Sequence, residues 1–281
     1  MLSRSSRALS LLAKQGPHGS ANTEKPHPIN RALSLFGFSL NRLSHFTKPI
    51  DEREQLFRNN FNTYYEAVKN SNRGFRTFRS YIYEGGEHPK RIESIVSEFT
   101  AVHISNINPK PEKILDVGSY RGFLAGLMCH YDVTTIDIRR REPVCEHETV
   151  VTCDAKQLSL PDNSFDVVMS QLAIAHFGLC RYGDEFDIGA DIKAVKEMIR
   201  CLKPGGLLIF ATLITAAHPS IQFNDCRIYS KDMIDALCSG LDCVDAQYFS
   251  LKSWRYISPA ELTTESSPAH DIALGAWRKP K

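Results

Sequence analysis

Apolar residues change their spacing several times along this chain. From Asp51 to Asn70 they fall at Leu56, Phe57, Phe61, Tyr64, Tyr65 and Val68 behind an acidic first turn, which is helical periodicity. Ile92, Ile95, Val96, Phe99 and Val102 repeat it over Pro89–Asn106. The pattern then shortens. Ile114, Leu115 and Val117 form a continuous apolar run with β-branched content, as a buried strand does. Gly118 and Gly122 interrupt it before Phe123, Leu124, Leu127 and Met128 return to helical spacing. Further strands are predicted over Tyr131–Arg140, Glu148–Cys153, Phe165–Ser170, Leu207–Ile214, Leu241–Tyr248 and Asp271–Trp277, with helices over Ile188–Leu202 and Ser230–Cys238. In the first of these helices Ile188, Ile192, Val195, Ile199 and Leu202 define the predicted buried face, and Lys203-Pro204-Gly205-Gly206 ends it. Alternating strands and helices predict an α/β fold with a doubly wound, mostly parallel sheet. Its last two strands are expected as an antiparallel edge pair, and a helical extension precedes it.

The turn after the first predicted strand is the chemical centre of this pattern. Strand, glycine turn and helix open a βαβ unit, and such turns lie at the carboxyl ends of strands, where open sheets bind ligands. Gly118 supplies the tight turn, and the helix after Gly122 aims its N-terminal amides at the site. A dinucleotide loop reads G-x-G-x-x-G, and its second glycine lets a pyrophosphate lie against the backbone. Tyr120 occupies that place here, and its ring would crowd a pyrophosphate. A phosphate-free nucleoside such as S-adenosylmethionine carries no such requirement, and Asp116 is placed to help hold its amino-acid end. Asp137 ends the second strand about 20 residues on, the spacing at which an acid meets a ribose, and a carboxylate accepts two hydroxyl hydrogen bonds at once. Asp154 follows the third strand, either to accept from an adenine amino group or to cap a turn. Ser119, Ile138, Ala155 and Gln171 flank these positions and complete the cofactor-contact candidates.

Composition narrows the classes. The 281 residues are 42% hydrophobic and 23% charged, enough for a sizeable core, and a net charge of +2 argues against a dedicated nucleic-acid binder. Eight cysteines lie scattered without C-x-x-C pairs or ligand spacing, so no metal site is expected and the thiols fit a reducing, cytoplasmic setting. No apolar run approaches the roughly 18 residues of a membrane span. The charge is uneven: residues 1–50 carry seven bases against Glu24 alone, which leaves −4 for the remainder by subtraction. Met1–Gly19, basic and free of acids, fits either a transit peptide or a basic tail. The leucines and phenylalanines of 29–46 fit an amphipathic segment that rests on an anionic membrane surface or packs on the main domain. Residues 72–88 interleave Arg73, Arg76 and Arg79 with Phe75, Phe78, Tyr81 and Tyr83, as an acceptor lid or a loop of snorkelling arginines would. The expected division is 1–50, a helical extension over 51–108, and the α/β domain over 109–281.

Four stretches in order, ILDVGSYRG, the strand ending at Asp137, CDAKQLSLPDNSFDVVMS and MIRCLKPGGLLIF, resemble the class I S-adenosylmethionine-dependent methyltransferases across about residues 110–215. The resemblance implies a Rossmann-like fold with an antiparallel last strand and methyl transfer from that cofactor (EC 2.1.1.-); Tyr120 departs from a frequent glycine. FGLCRYGDEFDIGADIKA (177–194) and FNDCRIYS (223–230) are similar to a methyltransferase-like family met with bacterial surface-polysaccharide genes, which implies a glycan-type or small-molecule acceptor. Ala175 and Cys226 stand where that family commonly has Glu and His.

Removing a proton from an acceptor hydroxyl needs a base, and His176, just after the fourth strand, is the candidate, against a structural histidine. Asp184 is the supporting or substitute base. Arg181, Tyr182 and Asp187 are candidates for acceptor binding, with Arg227 and Tyr229 reaching the cleft from the opposite side. A nicotinamide-dependent oxidoreductase and a noncatalytic nucleoside-binding partner protein are the other functions that fit.

Overall fold

The computed structural model describes residues 52–71, 76–80 and 91–281. The basic segment 1–50, the amphipathic stretch within it, and all of 72–88 except 76–80 lie outside the described residues. The chain divides into two compact units between His88 and Pro89. In the first, α1 (Glu52–Asn70) carries acids in its first turn and Lys69 in its last, as the helix dipole favours, and none of its residues is buried. Arg79 lies over the Tyr65 ring at 4.6 Å.

The second unit begins with α2 (Ile92–Ser105). The sequence division at 108/109 assigned this helix to the extension, but its buried Ile95, Val96, Phe99 and Ile104 join one apolar cluster with strand residues Ile114, Val133 and Val167. It is part of the α/β body. Then follow β1 (Lys113–Val117), α3 (Arg121–Leu127), β2 (Asp132–Asp137), β3 (Glu148–Thr152), β4 (Phe165–Gln171), a short 3₁₀ turn (Ile174–His176), α4 (Ala190–Cys201) and β5 (Leu202–Ile214). β6 (Ser220–Gln222) and β7 (Cys226–Ile228) pair as a separate two-stranded sheet, and α5 (Lys231–Leu237) follows with Ser230 as its N-cap. β8 (Asp242–Ser250), β9 (Arg255–Ile257) and β10 (Asp271–Arg278) end the chain's elements.

The main sheet has eight strands in the order β3-β2-β1-β4-β5-β10-β8-β9. β3, β2, β1, β4 and β5 are mutually parallel, and β10 runs antiparallel to both its neighbours. Alternation along β5 shows how both faces are used. Leu208, Phe210 and Ile214 join the cluster that includes α4 and α5, while Leu207, Ile209 and Ala211 join the one that includes α2 and α3. The sheet is doubly wound, with a Rossmann-like order that reverses direction at β1/β4.

Three expectations are corrected. The last two predicted strands, β8 and β10, do pair antiparallel with each other, but they are not the edge of the sheet: β10 joins them to β5, and the short β9 lies outside β8. The buried face of α4 is Ala190, Ala194, Val195, Met198 and Cys201, whereas Ile188 and Ile192 are exposed. Finally, β5 starts at Leu202, and Lys203–Gly206 bulge out of the β4/β5 ladder, where Phe165 pairs with Leu202 and Val167 with Leu207. Lys203 ties this bulge to Asp166 at 2.6 Å.

Candidate functional site

A cavity of about 270 Å³ opens at the carboxyl ends of β1–β4, bounded by the turn after β1 and by residues 172–184. Gly118 makes the turn with φ +76°, and a Cβ there would stand 2.9 Å from Ala173 Cβ, so the position requires glycine. Tyr120 follows as the N-cap of α3, its ring over Gly122 and at the cavity wall, 55% exposed.

Gly118, Ser119, Tyr120, Asp137, Ile138, Asp154, Ala155 and Gln171 of the cofactor candidates line this cavity. Gly122 and Asp116 do not. Asp116 lies beneath the turn, 2% exposed, accepting the Ser119 N–H at 3.3 Å. Burial pushes its carboxyl up to about 7, against the Ser119 hydrogen bonds and the charges of Arg141 and Arg121. Its expected direct grip on a ligand's amino-acid end is corrected to support of the turn from below.

Asp137 presents its carboxylate at the tip of β2, but Arg139 occupies much of it. The Arg139 backbone N–H and Nε both reach Oδ1 at 2.9 Å and Nη2 reaches Oδ2 at 2.8 Å. Partial burial raises the carboxyl, and the Arg139 bonds outweigh it, so Asp137 is held below the ordinary carboxylate range. Three of roughly four lone-pair directions are taken. The Arg139 guanidinium also lies 4.8 Å from the Tyr182 ring centroid, so the two bound the cavity together. Asp154, at the tip of β3, caps the Lys156 N–H at 2.9 Å.

On the other side of the cavity stand His176, Tyr182 and Asp184. His176 Nδ1 is 2.6 Å from the Asp225 carbonyl oxygen. A carbonyl offers only lone pairs, so Nδ1 carries the hydrogen and Nε2 keeps a basic lone pair. Arg181 Nη1, 3.2 Å from Nδ1, finds no lone pair there and forms an ion pair with Asp225 instead. Burial lowers the imidazole pKa, the Asp225 carbonyl raises it, and the Arg181 charge lowers it, with a net shift below the usual value. Asp184 accepts the Tyr182 N–H at 3.1 Å through Oδ1, while its buried Oδ2 has no partner among the described residues.

Four acceptor candidates are placed differently from expectation. Arg181 does not line the cavity; its guanidinium braces Asp225, whose carbonyl holds His176. Asp187 caps Gly189 and pairs with Lys193 at 2.7 Å. Arg227 is 4% exposed and donates to Phe177 O at 2.5 Å, Ile188 O at 3.0 Å and Asp187 O at 3.4 Å, so one guanidinium clamps both ends of the 177–188 loop. Tyr229, 1% exposed, donates to Asp191 at 2.9 Å, and Asp191 in turn lies 3.7 Å from Arg227. Arg227 belongs to β7, which is buried at every residue, and Tyr229 is buried just beyond it, so neither lines the cavity. Ala175 is buried in the core at 0% exposure, where a glutamate would have to bury its carboxylate. Sequence reasoning missed Arg139, Glu93 and Val96, which also line the cavity. Arg139 sits two residues past Asp137, a signal within reach, whereas α2 is brought to the cavity only by the tertiary fold.

Residues 115–210 match a family model described as a methyltransferase domain. Malonyl-[acyl-carrier protein] O-methyltransferase of Methylococcus capsulatus is 30% identical over 129 residues, covering 42% of this chain and 43% of that protein. The protein of the same description from Halorhodospira halophila is 29% identical over 114 residues, covering 36% and 35%. The matched segment thus spans less than half the length of either relative. A solved structure, the 1,6-didemethyltoxoflavin-N1-methyltransferase of Burkholderia thailandensis with bound S-adenosylhomocysteine, aligns at TM-score 0.49 and 15% identity over 83% of this chain and 92% of its own.

Proposed function

We propose that this chain is an S-adenosylmethionine-dependent methyltransferase that acts on an oxygen of a small or glycan-linked acceptor. The observation that carries the reading is the cavity itself, with an acid at the tips of both β2 and β3 and a tyrosine where a pyrophosphate would need glycine. The match over 115–210 supports the reaction class, and the names of both curated relatives support oxygen as the accepting atom.

The residues fit the cofactor. Asp137 would hold the ribose diol by yielding an Arg139 hydrogen bond, Asp154 the adenine amino group, and Ile138 and Ala155 the flanks of the ring. Bound there, S-adenosylmethionine supplies an electrophilic methyl on a sulfonium leaving group. His176 Nε2 takes the acceptor's proton, its ring held by the Asp225 carbonyl. Asp184 offers its unpartnered oxygen to a donor on the acceptor, and Tyr182 walls the cleft beside it. Alignment of the acceptor oxygen with the methyl supplies much of the remaining acceleration.

Calorimetry with S-adenosylhomocysteine and with NAD tests the cofactor, the first expected to bind and the second not. NAD binding without the homocysteine compound would overturn the proposal in favour of an oxidoreductase. Mass spectrometry of cell extracts incubated with the protein and deuterated-methyl cofactor then reads the acceptor.

A further inference from the structure

Two exposed phenylalanines stand beside the acceptor side of the cavity without lining it. Phe186 is 64% exposed and Phe223 69%, and their rings meet edge to face with centroids 6.1 Å apart. Each belongs to a segment that also supplies the cavity. Phe186 lies two residues past Asp184, which lines the cavity. Phe223 follows β6 at the tip of the β6/β7 hairpin, two residues before Asp225, whose carbonyl holds His176. Two residues of chain span at most ~7 Å, so both rings flank the same mouth. Arg227 fixes the pair in place, because from β7 it donates to the carbonyls of Phe177, Asp187 and Ile188 and so locks hairpin and loop together. Ile188 and Ile221, each two residues from one of the rings, are exposed as well.

Single apolar residues on a surface mean little, whereas a contiguous aromatic pair at the rim of a polar cleft marks a binding surface. Its size excludes a large partner. These side chains offer on the order of 400 Å², about half of the ~800 Å² that each partner buries in a stable protein interface. That is too little for a second copy of the chain, and it suits one extended ligand chain. The local charge selects further. Residues 182–188 hold Asp184, Glu185 and Asp187 and no base, and residues 220–226 hold Asp225 and no base. Arg181 beside them is taken by its ion pair with Asp225. A segment that rests on a membrane surface carries bases on its polar face, and a phosphate-bearing ligand would meet these acids, so the occupant is uncharged. Inside the mouth stand polar groups, His176 with its Nε2 lone pair and Asp184 with an unpartnered oxygen, and outside it stand the rings. Polar first and apolar next is the order of groups along an amphiphile.

We propose that the acceptor is an amphiphile whose neutral, hydroxyl-bearing head enters the cavity at His176 and Asp184, and whose uncharged aliphatic chain leaves it over Phe186 and Phe223. The inference rests on the methyltransferase reading above and adds to it a substrate class and two specificity-determining residues.

The probes are n-alkyl β-glucosides from methyl to octyl, kept below the concentrations at which they form micelles and titrated into the full chain saturated with S-adenosylhomocysteine. From butyl to octyl each added methylene should tighten binding about two-fold, the gain from burying part of a CH₂ group. In the double variant Phe186→Ser with Phe223→Ser, the whole series should differ by less than about two-fold, while S-adenosylhomocysteine binds as before. Both positions are exposed, so the substitutions leave the core intact. Absence of chain-length dependence in the unaltered protein, or the same dependence in the double variant, overturns the proposal. Sedimentation that shifts from dimer to monomer in the variant also overturns it, and gives the patch to a second copy. Flotation with phosphatidylcholine vesicles that the variant loses, without any chain-length effect, overturns it in favour of a bilayer. Failure of the unaltered chain to bind S-adenosylhomocysteine would instead remove the methyltransferase reading beneath it.

Discussion

His176 owes its candidacy to one carbonyl. The Asp225 oxygen fixes the Nδ1 hydrogen, which orients the ring and leaves Nε2 as the lone pair, and burial keeps the imidazole neutral below its ordinary titration range. A base is active when deprotonated, so methyl transfer should be flat with pH above about 6.5 and decline only under more acidic conditions. A pH–rate profile with the acceptor in hand checks this. His176→Ala should abolish the acid limb and reduce turnover by about 10²–10⁴-fold, with S-adenosylhomocysteine affinity preserved. A turnover unchanged by that substitution would remove His176 from the chemistry.

At the scale of elements, the 177–188 loop depends on a buried side chain that never touches the cavity. Arg227 joins its two ends through three carbonyls and neighbours Asp191. Arg227→Met leaves the Asp191 carboxylate buried with only Tyr229, and breaking such a pair costs about 3–5 kcal/mol. Urea unfolding should show that loss. Trypsin should also cut at Arg181 faster than in the unaltered protein, and Arg227→Lys should restore little, because an ammonium cannot fork to several carbonyls. This same clamp marks the limit of what could be read from the chain. β1 through β5 were legible because each carries an apolar run next to a turn signal. Arg227 and Tyr229 were misread because β7, three residues long, carries no apolar run that would predict a strand, yet it is buried at every residue and Tyr229 just beyond it is buried as well. The α4 face was misread for a related reason: large isoleucines outweigh alanines in any periodicity, yet Ala190 and Ala194 are the buried positions. Of the site, the positions tied to strand ends were legible. The contribution of α2 was not, since nothing local links Glu93 or Val96 to the strand ends.

Over the whole molecule two buried carboxyls pull the pH dependence of stability in opposite directions. Glu148 on β3 has no exposed side-chain surface and gathers Arg121 of α3 at 2.7 Å, Thr135 of β2 at 2.9 Å and the Val144 N–H at 2.9 Å. Burial opposes its charge, but those bonds hold its pKa near about 2, against an ordinary 4.5. Its stabilisation is present above 4.5 and is lost as pH falls through about 2. Asp116 has the reverse sign. With a pKa raised from 3.8 to about 7, its contribution is full at low pH and is lost as pH rises through about 7. The difference is on the order of 4 kcal/mol at one pKa unit per 1.36 kcal/mol. The melting temperature of the unliganded protein should therefore peak in mild acid. Asp116→Asn should flatten the decline between about pH 4 and pH 7, and Glu148→Gln should lower stability at neutral pH while weakening its dependence below pH 4. A decline toward pH 7 that survives Asp116→Asn would refute the first part.

The insertion of β10 between β5 and β8 has a consequence for synthesis on the ribosome. Until residues 271–278 have left the exit tunnel, the strands at 202–214 and 242–250 each display a row of unsatisfied amides with no partner to receive them. The nascent polypeptide thus carries two adhesive borders at once, the kind of unpaired strand edge that makes an incompletely folded chain prone to aggregation.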